Sequence, residues 1–86
     1  MVSYRLELTK TAAKELRSLE RGWMGKILVA LEALAEEPRP SGCKKLVGSE
    51  FTYRIRVGDY RVVYELQDSI LLVLVVRIRH RRDVYR

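Results

Sequence analysis

From Val2 to Leu8 apolar and polar residues alternate, with Tyr4, Leu6 and Leu8 on one side and Ser3, Arg5 and Glu7 on the other. That two-residue period is the mark of a strand buried on one face, so a short strand opens the chain. The period then lengthens. Ala12, Ala13, Leu16 and Leu19 recur at helical spacing as far as about Glu20, behind Thr9 or Thr11, either of whose hydroxyls can cap the first turn. Gly22 is expected to mark the turn out of this helix. A second helix is expected from Trp23, its apolar face made by Met24, Ile27, Leu28, Leu31, Leu34 and Ala35, with Pro38 and Pro40 ending it. A stripe of this kind is core packing and carries no chemistry.

Lys44 to Gly48 opens either a strand or a loop. Phe51 to Val57 alternates cleanly: Phe51, Tyr53, Ile55 and Val57 point one way, Thr52, Arg54 and Arg56 the other. Gly58-Asp59 supplies turn residues. Tyr60 to Leu66 returns, with Tyr60, Val62, Tyr64 and Leu66 opposite Arg61, Val63 and Glu65. After a turn at Gln67-Asp68-Ser69, a strand from Ile70 to about Arg79 is apolar on both faces in its middle, as suits the interior of a sheet. The pattern is an α+β domain of order β-α-α-β-β-β, in which a two-helix hairpin packs on one face of a mostly antiparallel β-sheet. Arg54, Arg56 and Arg61 then emerge on the opposite face.

The 86 residues make one domain spanning 1–86, with a modest core and no room for a second lobe or an internal cofactor cleft, so no cofactor is expected. A formal net charge of +6 draws the protein toward an anionic partner. The excess is lopsided: residues 51–86 hold eight arginines against four acids, and residues 1–50 nine Lys/Arg against seven acids. The last ten residues alone carry five arginines, together with His80 and Tyr85. Guanidinium forks fit phosphate, so this end of the chain points to a phosphate-facing surface. Cys43 is the one cysteine and His80 the one histidine, which excludes an internal disulfide and a Cys/His zinc set, and no metal site is expected. The longest apolar stretch, Ile70 to Val76, is far too short for a membrane span, and the start has no apolar signal core. A cytoplasmic protein without membrane contact is expected.

The segment Tyr53-Arg54-Ile55-Arg56-Val57-Gly58-Asp59-Tyr60-Arg61-Val62-Val63-Tyr64-Glu65, followed by His80-Arg81-Arg82-Asp83-Val84-Tyr85, closely resembles the toxins of the RelE/ParE superfamily, and within it the RelE branch. The resemblance implies a RelE-like microbial RNase fold and a toxin of a type II toxin–antitoxin system. It implies a ribosome-dependent endoribonuclease that cuts messenger RNA in the ribosomal A site and so inhibits translation. The chemistry implied is metal-independent attack of a ribose 2′-hydroxyl on the adjacent phosphate. The implied partners are a cognate RelB-like antitoxin, the ribosome with its messenger, and operator DNA only through the antitoxin complex.

Such a reaction needs a proton acceptor, cations to stabilise a crowded dianionic phosphate, and a proton for the leaving oxygen. On the resemblance, Arg61 and Arg81 grip and neutralise the phosphate, while Tyr85 stacks on or orients the target nucleotide. Arg54 and Arg56 occupy positions where the best-studied relatives carry lysine. Guanidinium resists deprotonation, so both are electrostatic stabilisers and poor bases. The proton acceptor lies open between His80, an imidazole, and Tyr85, with Glu65 a further acid/base candidate or an arginine's partner. Arg79, Arg82, Lys44 and Lys45 join Arg54 and Arg56 as RNA-contacting candidates. Two other readings stay in view: a ParE-like poison of DNA gyrase, and a basic module that binds nucleic acid without cutting it.

Overall fold

The opening alternation becomes β1 (Arg5–Leu8) in the computed structural model, which describes residues 3–84. Val2, expected in that strand, lies outside the described residues. Thr9 is the cap of α1 (Lys10–Arg17): its hydroxyl oxygen accepts the Ala12 N–H at 3.1 Å and itself donates to the Val76 carbonyl at 3.0 Å. One side chain thus starts the helix and ties it to the last strand of the sheet. The helix stops at Arg17, short of the expected Glu20, because Ser18 folds back: its hydroxyl donates to the Glu15 carbonyl at 2.7 Å. Gly22 is not the turn residue. It sits in the first turn of α2 (Arg21–Glu36), and the link between the helices is Ser18 to Glu20.

The remaining strands are β2 (Lys44–Lys45), β3 (Thr52–Val57), β4 (Tyr60–Gln67) and β5 (Leu72–His80). They form one sheet in the order β1-β5-β4-β3-β2, antiparallel except for β1 against β5. Lys44 to Gly48 therefore supplies two residues of strand and then loop. Phe51 departs from the expected alternation: it stands before β3 and is 61% exposed, in a turn where the Ser49 hydroxyl accepts the Phe51 and Thr52 N–H groups. The last strand starts later than Ile70. Asp68–Ile70 form a single 3-10 turn, and Leu71 follows in the left-handed region at φ +51°. Asp68 holds that turn, since its carboxylate accepts from the Tyr4 hydroxyl at 2.6 Å and from Arg39 at 2.8 Å.

Ala12 of α1 and Ile27, Leu31 and Leu34 of α2 close over Ile55, Val62, Tyr64, Leu66, Val73, Val75 and Ile78. Leu28 lies outside this core, 40% exposed. Val75 and Ile78 are three residues apart, which strict alternation would send to opposite faces. A bulge resolves this: Val63 pairs with Arg77 and Tyr64 with Val75, so Val76 is skipped and Val75 and Ile78 both face the helices. Among the described residues no helix is long and apolar enough to cross a membrane.

Candidate functional site

Strands β3 and β4 join through Gly58-Asp59, with Val57 paired to Tyr60 and Gly58 at φ +59°. Only glycine fits at that position for two reasons. The backbone is left-handed there, and a Cβ would run into the Trp23 ring, 2.7 Å from Cζ3. The tight turn fixes the register of everything beyond it.

That register sets arginines abreast. Arg56 is the Cα partner of Arg61, and Arg61 of Arg79, so three guanidinium stems stand in one row across β3, β4 and β5. Adjacent strands lie about 4.8 Å apart, close enough for one phosphate to meet two of these side chains. A second row reads Lys44, Arg54, Val63 and Arg77. Both rows occupy the face that the helices leave uncovered. Arg56 bends back over the turn, its Nε donating to the Gly58 carbonyl at 3.0 Å. Arg77 is already committed: it pairs with Glu15 at 3.0 Å, a contact that raises its pKa and holds it cationic. It is a clamp between sheet and helix.

β5 runs straight into a one-turn helix, α3 (Arg81–Val84). The Arg81 N–H donates to the Asp59 carbonyl at 2.7 Å, and its Nε lies 4.0 Å from the Asp59 carboxylate. Arg81 therefore stands where the arginine row meets the hairpin turn. His80 does not join the row. It is the Cα partner of Tyr60, on the helix side, with the two rings edge to face at 5.2 Å. Its Nδ1 accepts the Arg82 N–H at 3.2 Å. Lys45 pairs with Tyr53 and likewise faces away from Lys44 and Arg54. Tyr85 lies outside the described residues. Glu65 is on the arginine face, but its partners are Thr52 and Leu74.

Behind the row the helix side carries an aromatic cluster: Trp23 meets Tyr60 at 5.1 Å, and the Lys26 ammonium sits 4.7 Å over the Trp23 ring. With His80, Arg82, Glu20 and Asp59 these rings line an open cleft of about 380 Å³. None of Trp23, Tyr60, Asp59 and Glu20 was expected from the sequence to be a site residue. At the far end of the sheet, Arg39 bridges Asp68 and the Tyr53 hydroxyl, and Tyr64 donates to the Pro38 carbonyl at 2.7 Å. Arg39 and the Tyr4 hydroxyl hold the Asp68 carboxylate below its ordinary pKa, while burial pushes the Tyr64 phenol up. This network pins the proline break to the sheet.

Comparison with known proteins gives this arrangement a family. Residues 6–85 match the family model described as the ParE toxin of a type II toxin–antitoxin system, parDE. The chain belongs to the RelE/ParE superfamily of type II toxin–antitoxin toxins. Its similarity lies with RelE-named members. It is 31% identical over 87 residues to toxin RelG of Mycobacterium tuberculosis, covering 96% of this chain and 97% of that protein. The RelE–RelB complex of Pyrococcus horikoshii superposes with a TM-score of 0.82 at 30% identity, covering 92% of this chain and 96% of that one. The isolated Escherichia coli RelE toxin gives 0.81 at 29% identity, covering 91% and 84%. A ParE-type gyrase poison is the less favoured reading.

Proposed function

We propose that the protein is a messenger RNA endonuclease acting in the ribosomal A site, which cuts by metal-independent attack of a ribose 2′-hydroxyl and thereby stops translation. The observation that carries this reading is the row Arg56, Arg61 and Arg79, continued at the hairpin turn by Arg81. Charge grows on the phosphate as the 2′-oxygen adds to it, and a preset array of guanidinium groups stabilises that charge more than it stabilises the starting diester. Arg61 and Arg81 serve the reacting phosphate. Arg54, Arg56, Arg79 and Lys44 hold the flanking chain, whereas Lys45 faces away from it.

This reading takes Tyr85 as the proton acceptor, one of the candidates the sequence offers. Guanidinium cannot serve at physiological pH. His80 is on the opposite face, with Nδ1 occupied. Glu65 is four residues along the strand from Arg61, roughly 13 Å at strand rise. Tyr85 is the candidate that remains.

A RelB-like antitoxin is the partner assigned here, since the Pyrococcus horikoshii and Escherichia coli structures include RelE–RelB complexes. Operator DNA would be reached only through that complex. The test is to add the purified protein to ribosomes programmed with a defined messenger and an open A site. Cuts in codon phase ending in cyclic phosphate, and absent from free messenger, are expected. Intact messenger on the programmed ribosome would reject the enzyme reading and leave a basic binding module.

A further inference from the structure

We infer that His80 is a positioning residue for Arg81, its imidazole capping the one-turn helix α3 so that the Arg81 guanidinium is held preset at the phosphate-binding face. This rests on the RNA reading above and gives His80 a part in it without contact with the substrate. α3 has four residues, too few to hold a helical turn by themselves, so the direction in which Arg81 leaves the sheet depends on what satisfies the first N–H groups of that turn. Two bonds do so. The Arg81 N–H donates to the Asp59 carbonyl at 2.7 Å, and the Arg82 N–H donates to His80 Nδ1 at 3.2 Å. The second bond joins the residue before a helix to the second N–H of that helix, which is the geometry of a side-chain cap.

The ring that supplies the cap is itself fixed. His80 is the last residue of β5, paired across the sheet with Tyr60, and the two rings meet edge to face at 5.2 Å. Tyr60 is backed in turn by Trp23 at 5.1 Å. An acceptor anchored in this way holds Arg82, and Arg81 lies along the chain between the anchor and the group it holds. The ion pair of Arg81 with Asp59 cannot do this alone: Nε is 4.0 Å from the carboxylate and both side chains are more than half exposed, so water competes for both charges. The same weakness leaves the guanidinium available to a phosphate, and a cation held in place beforehand stabilises charge as it develops there. His80 Nδ1 carries no proton when it accepts the N–H, so the side chain serves the backbone as a hydrogen-bond acceptor and not the ribose hydroxyl as a base.

Asparagine separates the two roles, because its side-chain oxygen caps a helix but takes no proton at neutral pH. In single-turnover cleavage of messenger on programmed ribosomes, His80→Ala is expected to slow the rate about fivefold to tenfold, the factor that corresponds to a lost cap, and His80→Asn to recover most of it. In an Arg81→Ala background, His80→Ala should add no further loss, since the cap acts through the side chain already removed. An Asn variant as slow as the Ala variant, or losses that multiply in the double variant, would overturn the positioning role. Amide exchange at Arg82 measures the cap itself. It should quicken in His80→Ala and stay near wild type in His80→Asn, with the rest of the spectrum that of the folded protein; an unchanged Arg82 rate in His80→Ala would overturn the cap. If the wild type leaves messenger intact, the RNase reading fails separately, and the same set of variants read as affinity for oligouridylate decides the positioning by the same two criteria.

Discussion

Glu15 accepts the backbone N–H of Ile78 at 2.7 Å, so a side chain from α1 stands where β1 would be if that strand ran on. β1 pairs with β5 only as far as Val75, and the second half of β5 would otherwise present an unpaired edge beside the arginine row. The same carboxylate pairs with Arg77. Glu15→Ala should cost about 2 to 3 kcal/mol in chemical denaturation, the range for hydrogen bonds to a charged acceptor. It should also speed amide exchange at Ile78 ahead of global unfolding. Arg77→Ala, which leaves the Ile78 bond in place, should cost less.

Lys44 and Lys45 are neighbours in sequence and opposites in the sheet. Lys44 faces the same side as its partner Arg54, and Lys45 the side of Tyr53. In anisotropy titrations with single-stranded RNA, Lys44→Ala should lower the slope of log affinity against log salt by about 0.7, one phosphate contact's worth. Lys45→Ala should leave the slope unchanged.

That contrast shows where the sequence was legible. The hairpin could be read directly, because Thr52 to Leu66 alternates strictly and Gly58-Asp59 leaves one economical turn. A threonine cap, Thr9 or Thr11, was readable for the same local reason. The ends of elements were not: α1 stops where Ser18 turns back on Glu15, and β5 is delayed by an Asp68 held from Tyr4 and Arg39, both distant in the chain. Within the site, simple alternation already puts His80 opposite Arg79 and Lys45 opposite Lys44, so grouping them by proximity in sequence missed an available signal. The contact of Trp23 with Tyr60 had no such signal, since it depends on how α2 lies across the hairpin.

Two of the positive-φ positions, Gly58 and Leu71, should respond in opposite directions to substitution. Gly58→Ala adds left-handed strain and drives a methyl group into Trp23, and should cost about 2 to 3 kcal/mol in thermal or chemical unfolding. Leu71 is 38% exposed and already bears the strain, so Leu71→Gly should be neutral or stabilise by up to about 1 kcal/mol.

Tyr64 is fully buried and its phenol is raised above the ordinary value of 10.0. Above that pH the unfolded chain loses the proton while the folded chain keeps it, so the unfolded state binds fewer protons and stability falls as pH rises. Tyr64→Phe should flatten the alkaline limb of the stability profile and cost about 1 kcal/mol at neutral pH through the lost bond to Pro38. Asp68, held below its ordinary value, acts at the other end. Its contribution is present above the unfolded carboxylate pKa and is lost as pH falls through the folded one, so Asp68→Asn should flatten the acid limb.

The most direct test of the arginine row is single-turnover cleavage of messenger in the A site of programmed ribosomes, comparing wild type with Arg61→Ala and Lys45→Ala. Loss of one preset cation at the reacting phosphate should slow Arg61→Ala by about 100-fold or more, while Lys45→Ala stays close to wild type. Equal rates for Arg61→Ala and wild type, or a Lys45→Ala defect as large as that of Arg61→Ala, would contradict the assignment of the open sheet face as the reacting surface.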